Sequence, residues 1–138
     1  MTFVLDNSVA LSWCFEDEQS PALLKLLARV IDGGCFAPAL WPIEAVNALL
    51  VAERRQRITA DKTAAYITRL AALPVVIDHD PGETIFGMLG TLARRHQLTA
   101  YDAVYLELAL RLSLPLATRD KALLAAAQVA KVPLLETR

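Results

Sequence analysis

The chain has 138 residues, the length of one domain with one core, so the expected organisation is a single unit over 1–138. Hydrophobic residues make up 55% and charged residues 21%, with only 5 glycines and 7 prolines, which excludes a disordered or collagen-like chain. Fourteen basic against fifteen acidic residues leave a net charge of −1, so no global basic field announces nucleic-acid binding and any such function must come from local patches.

The first segment, Met1-Thr2-Phe3-Val4-Leu5-Asp6, lacks a basic start and meets an acid at position 6, so it is not expected to be a signal peptide. Thr2–Leu5 reads as a short strand. An apolar stretch with Ala10, Leu11, Trp13, Cys14 and Phe15 follows, then an acidic run, Glu16-Asp17-Glu18, expected to be exposed. Ser20-Pro21 is a helix cap followed by proline at the first helical position, and Gly33-Gly34 ends that helix. Cys35–Ala37 is the second strand candidate. A helix runs from Trp41-Pro42 to about Arg57, and another from its Thr59 cap through Leu73. Pro74–Ile77 is the third strand, followed by a helix from about Gly82 to His96. Thr99 caps a fifth helix to about Ser113, Leu114–Ala117 is the fourth strand, Asp120 caps a sixth helix, and Pro133–Leu135 is the fifth strand. Strands alternating with helices predict parallel pairing and a three-layer α/β domain.

Two cysteines, Cys14 and Cys35, form neither a disulfide framework nor a paired metal motif, and their apolar neighbours predict buried thiols in a reducing cytoplasm. The apolar stretch Leu98–Thr118 is interrupted by Asp102, Glu107 and Arg111, which argues against a membrane span. The mean hydropathy of +0.38 is still high, and predicts apolar surface for a partner. The leucine-rich helix with Leu23, Leu24, Leu26, Leu27 and Ile31 is a candidate for that surface, as is the Ala10–Phe15 stretch.

Ligands of open parallel sheets bind beyond the C-terminal strand ends, and the helices that return have their N-termini on that edge. Four carboxylates embedded in apolar sequence fall there: Asp6 after the first strand, Glu44 in Trp41-Pro42-Ile43-Glu44, Asp102 in Thr99-Ala100-Tyr101-Asp102, and Asp120 after the fourth strand. Singly, each has an ordinary explanation as a turn, a cap or a dipole partner. Together they would repel strongly without a cation among them, and an all-oxygen set selects Mg²⁺ or Mn²⁺. A competing group, Asp78, His79, Asp80 and Glu83, lies beside Pro81-Gly82 and reads as turn chemistry.

The four acids sit in motifs that resemble a PIN-domain nuclease, specifically a VapC-like toxin of a toxin–antitoxin pair. Asp6 with Ser8 resembles the family's D-x-S, Glu44 with Asn47 its E-x-x-N, Thr99 with Asp102 its T-x-x-D-A helix, and Thr118 with Asp120 its T-x-D. The resemblance implies a parallel sheet of order 3-2-1-4-5. It implies hydrolysis of RNA phosphodiesters, with transfer or ribosomal RNA as substrate and Mg²⁺, or Mn²⁺ in its place, held by Asp6, Glu44 and Asp102. Asp120 would hold a second ion or orient the attacking water. Ser8 and Thr118 would fix the carboxylates, and Asn47 would touch a water or the phosphate. A VapB-like antitoxin, a homodimer and a cytoplasmic location are implied as well.

RNA needs positive groups around an acidic pocket. Arg119 and Lys121 bracket Asp120, and Arg55 lies eleven residues after Glu44, about 16 Å along the same helix face. Arg94 and Arg95 are further candidates. Two other readings are weaker. A receiver-type signalling domain would use Asp6, Asp78, Thr118 and Lys131, but leaves Glu44 and Asp102 unexplained. A haloacid-dehalogenase-like phosphatase needs a second acid where Ser8 stands.

Overall fold

The computed structural model describes residues 2–138. Val4–Leu5 (β1) is flanked by Cys35–Pro38 (β2) on one side and Leu116–Ala117 (β4) on the other, and Val75–Asp78 (β3) forms the outer edge. The sheet order is β3-β2-β1-β4 and every pairing is parallel. The expected fifth strand is present only as a single parallel bridge, Leu116 to Leu134, with hydrogen bonds from Leu116 to Pro133 (2.9 Å) and from Leu135 to Leu116 (3.1 Å). It therefore lies beside β4, where the order 3-2-1-4-5 places it. Pro133 has no amide hydrogen to extend the ladder.

Helices cover the sheet. They are Asn7–Ser12 (α1), Pro21–Gly33 (α2), Trp41–Arg54 (α3), Ala60–Ala71 (α4), Gly82–Thr84 (α5), Gly90–His96 (α6), Ala100–Leu112 (α7) and Lys121–Ala130 (α8). The expected helix over 82–96 is interrupted by a π-helical stretch, Ile85–Leu89, between α5 and α6. Phe86 on that stretch is 95% exposed. The first helix, α1, was not legible as one. Only six residues long, it starts where the Asp6 carboxylate accepts a hydrogen bond from the Ser8 amide (3.2 Å).

The core is centred on β1 and β4, whose residues are fully buried, and on α7, which packs against β1, β2 and β4. Ala103 to Ala109 of α7 are all buried. Ala10, Trp13, Cys14, Phe15, Leu23 and Leu26 also belong to the core. The apolar stretch after Asp6, read as partner surface, is thus mostly interior, whereas Leu24 (48% exposed) and Ile31 (63%) of α2 remain outside. Cys14 and Cys35 are free and buried, and burial pushes their thiols up to about 11 and about 12. Gly34 joins α2 to β2 at φ +73°, and a Cβ there would meet the Pro74 carbonyl oxygen at 2.8 Å. Only glycine serves at that left-handed, crowded position.

Among the described residues, no helix is long and apolar enough to cross a membrane.

Candidate active site

The four motif acids each stand at a helix N-terminus. Asp6 caps α1, Glu44 is in the first turn of α3, Asp102 in the first turn of α7, and Asp120 caps α8. The chain places them there because each strand or cap delivers the backbone to the C-terminal edge before the helix turns back. The positive ends of the helix dipoles offset part of the carboxylate charge.

Asp6 is only 4% exposed. Its Oδ2 accepts three hydrogen bonds: from the Ser8 amide (3.2 Å), the Ser8 hydroxyl (2.5 Å) and the Thr118 hydroxyl (2.8 Å). Ser8 Oγ in turn accepts from the Arg119 amide (2.9 Å), and Thr118 Oγ1 from the Asp120 amide (3.0 Å). The two hydroxyls thus tie the β1 end to the loop after β4. They orient Asp6 through one oxygen and fix the start of α8 in the same network. Asp120 completes its own cap by accepting from the Leu123 amide (2.9 Å).

Glu44 accepts a 2.5 Å hydrogen bond from the Tyr105 hydroxyl. Tyr105 is fully buried on α7, one turn below Asp102, so its ring is fixed by the core and only its oxygen reaches the pocket. Its partnership with Glu44 was missed in the sequence. The available signal was a tyrosine one turn after Asp102 in an apolar helix, where a buried hydroxyl requires a partner. Thr99 Oγ1 accepts from the Asp102 amide at 3.1 Å, which is the cap that the Thr99–Asp102 spacing predicts.

The electrostatics show how closely these acids interact. Burial raises the pKa of Asp6 above the usual carboxylate range, and the charge of Asp120 adds to it against the lowering hydrogen bonds. Glu44 is raised chiefly by burial, opposed by the Tyr105 bond and reinforced by Asp6 and Asp102. Asp102 is raised by burial, then by Asp120 and Asp6. No positive side chain is among the causes acting on these three groups. The donor set fits a hard divalent cation: oxygen ligands only, mutual repulsion, and one carboxylate already held by a single oxygen. The array is gathered rather than closed. Among the described residues, no three Asp, Glu, His or Cys groups stand tightly enough together to grip an ion. Uncompensated carboxylates repel, and Glu44 is drawn to Tyr105.

Asp78 lies elsewhere. It ends the edge strand β3, two strands from β1, and Arg111 clamps it through both terminal nitrogens (3.2 and 2.6 Å). Arg111 also holds Asp80 and Glu107, so the Asp78–Asp80 segment is an ion-pair network joining β3 to α7.

A cleft of about 620 Å³ opens beside the acids. It is lined by Ser8 and Asp120 at one end and by Arg55, Arg57 and Arg119 further out. The helix bearing Glu44 ends at Arg54, not near Arg57. Arg55 is its C-cap and Gln56 adopts φ 61°, which turns the chain before Arg57. Arg55 therefore lines the cleft from just beyond the helix rather than from its face. Asn47 is exposed one turn after Glu44, and Lys121 is exposed at the first residue of α8. Arg94 and Arg95 are exposed in the last turn of α6.

A parallel sheet with four acids at its C-terminal edge, on four helix N-termini, defines an α/β domain with an acidic edge. The PIN-domain family profile matches residues 3–129, and the chain belongs to that family. PIN domains are typically nucleases and generally use divalent metals. Membership leaves the receiver-type reading of Asp78 without support.

Among solved structures, the chain is similar to PAE2754 from Pyrobaculum aerophilum, with a TM-score of 0.68 and 22% identity over 91% of this chain and 84% of that one. FitAcB from Neisseria gonorrhoeae gives 0.66 and 18% over 99% and 98%. FitAB bound to an IR36 DNA fragment gives 0.66 and 17% over 97% and 94%. At these identities the likeness is one of fold. No curated protein sequence matches the chain significantly.

Proposed function

We propose that this PIN-domain protein is a Mg²⁺-dependent endoribonuclease of the VapC-like toxin type, neutralised by a VapB-like antitoxin. The observation that carries the reading is the convergence of Asp6, Glu44, Asp102 and Asp120: burial first, and then neighbouring carboxylates of this set, raise the pKa values of Asp6, Glu44 and Asp102, with no cationic side chain among the causes. Asp6, Glu44 and Asp102 would hold the metal, and Mn²⁺ would substitute in an oxygen site. When bound, the ion supplies charge for the scissile phosphate and acidifies a water. Asp120 orients the attacking water or helps hold a second ion. Ser8 and Thr118 keep Asp6 in place through Oδ2, and Tyr105 keeps Glu44 in place. Asn47, exposed one turn after Glu44 on α3, would touch a water or the phosphate.

Arg55, Arg119 and Lys121 serve the RNA backbone, because a guanidinium or ammonium neutralises phosphate without activating water. An antitoxin is supported by the fold shared with FitAcB and FitAB, and by apolar side chains left exposed on α3, where Ile43 is 68% exposed next to Glu44. Exposed Phe86 and Met88 suit self-association as a homodimer. The substrate class is tested by incubating purified protein with transfer and ribosomal RNA plus Mg²⁺ and sequencing the new RNA ends. Discrete metal-stimulated ends are expected, and none at all would sink the reading.

Tyr105→Phe isolates the positioning of Glu44. The ring stays in the core, but Glu44 loses a bond that lowers its pKa. Mg²⁺ affinity should fall about 10- to 100-fold, the usual cost of removing an outer partner of a ligand. Cleavage at saturating Mg²⁺ should fall much less. Calorimetric Mg²⁺ titration checks this, and equal affinity in both proteins would detach Tyr105 from the site.

A further inference from the structure

Glu16 and Asp17 of the acidic turn are exposed as expected, but Glu18 is tied down. Glu18 holds two arginines at once: its Oε2 accepts from Arg57 (2.8 Å) and its Oε1 from Arg119 (3.1 Å). Arg57 additionally meets Asp17 (3.1 Å) and lies 3.8 Å above the ring centroid of Phe15. Phe15 is buried and packs edge-on against Tyr66, so it forms a fixed floor beneath the guanidinium. Arg57, Arg119 and Glu18 all line the cleft that ends at Ser8 and Asp120.

A carboxylate that receives one guanidinium on each oxygen has the layout of the two non-bridging oxygens of a phosphodiester. We infer that Arg57 and Arg119 form a seat for one RNA phosphate beside the cleavage site, and that Glu18 fills this seat in the free protein. The inference rests on the ribonuclease reading and names the partner of that cleft. Arg119 is adjacent in sequence to Asp120, so the seat borders the acids and holds a phosphate near the scissile one. Arg57, expected only as part of the basic end of the Glu44 helix, becomes a binding residue.

The physics favours a displaceable occupant. The pairs lie at the surface, with Arg57 43% and Arg119 36% exposed at the side chain, and exposed ion pairs hold weakly. Phosphate entry releases Glu18, while Phe15 keeps Arg57 in place. The gate also selects against small anions: a lone phosphate meets the same competition without neighbouring phosphates to add affinity. A strand of RNA brings several, and each neutralised phosphate releases counterions.

The test is fluorescence-anisotropy binding of a labelled single-stranded RNA in EDTA, where no metal-dependent cleavage intervenes. Glu18→Gln should bind about three- to tenfold tighter at low salt, as expected for removing weak competing pairs. The gain should shrink at high salt and disappear in the double variant Glu18→Gln/Arg57→Ala. Glu18→Asp keeps the charge but is too short to span both arginines, so it should give a smaller gain. It also guards against misfolding of the glutamine variant, as thermal melting will show. Asp17→Asn removes one of the two carboxylates on Arg57 but leaves Glu18 in the seat, so it should gain less than Glu18→Gln. Folded Glu18→Gln and Glu18→Asp proteins that bind no tighter than the parent would overturn the gate alone. If the parent and all variants fail both to bind RNA and to cleave it, the ribonuclease reading falls and the gate with it.

Discussion

Asp6→Asn, Glu44→Gln and Asp102→Asn should each lower the rate of RNA cleavage by more than about 100-fold, beyond the cost of losing an outer partner such as Tyr105. The reason is chemical rather than structural. Each substitution keeps the side-chain volume and most hydrogen bonds, but removes an anionic oxygen from a site with no other ligand type. The metal-free proteins should also melt higher than the parent. In the parent, Asp6, Glu44 and Asp102 all have pKa values raised by burial and then by neighbouring carboxylates, so their charged forms oppose folding. Neutralising one relieves that cost. Asp6→Asn is the severe case: its amide oxygen can take the Oδ2 position and keep the Ser8 and Thr118 bonds, but a neutral oxygen accepts them more weakly than the carboxylate does. Its gain in melting temperature should therefore be the smallest of the three. Asp78→Asn is the contrast: it loosens the Arg111 network and lowers the melting temperature while cleavage stays close to the parent rate. Rates and melting curves for the four variants decide the matter. A dead Asp78→Asn beside an active Glu44→Gln would reverse the assignment of roles.

How much of this was legible in the sequence depended on how local the cause was. Parallel strands and capped helices were readable because Ser20, Thr59, Thr99 and Asp120 announce their helices within four residues, and all four accept the expected amide bonds. The acids were readable for the same reason, lying in short motifs at strand ends and helix starts. What was not readable depended on tertiary contact. The fate of Glu18 was set by Arg57 and Arg119, 39 and 101 residues away. Tyr105 meets Glu44 across 61 residues. The short helix α1 escaped notice because Asp6 acts in it as cap and candidate ligand together, and six residues show too little periodicity to declare a helix. The Ala10–Phe15 stretch looked like partner surface because composition alone does not say which apolar face the core takes.

Removing divalent metal should abolish cleavage, and acidification should mimic partial removal. Asp6, Glu44 and Asp102 begin from pKa values above the unfolded carboxylate range of about 4, because burial and mutual charge disfavour their ionised forms. A cation binds only the ionised forms, so protons compete with it, at about tenfold in affinity per pH unit for each proton displaced. The sign runs opposite for the two states. Metal-free protein gains stability as pH falls through the raised folded values, a gain that stops near the unfolded values. Metal-loaded protein loses affinity, and hence stability, over the same window. At fixed, subsaturating Mg²⁺, activity should therefore fall on acidification before ordinary carboxylates titrate, and more Mg²⁺ should move the midpoint to lower pH. Single-turnover cleavage across pH at several Mg²⁺ concentrations, with an EDTA control, measures this directly. A midpoint that ignores Mg²⁺ concentration would mean that the titrating groups are not the ligands. Full cleavage in EDTA, with metal shown to be absent, would remove the acids from the chemistry altogether.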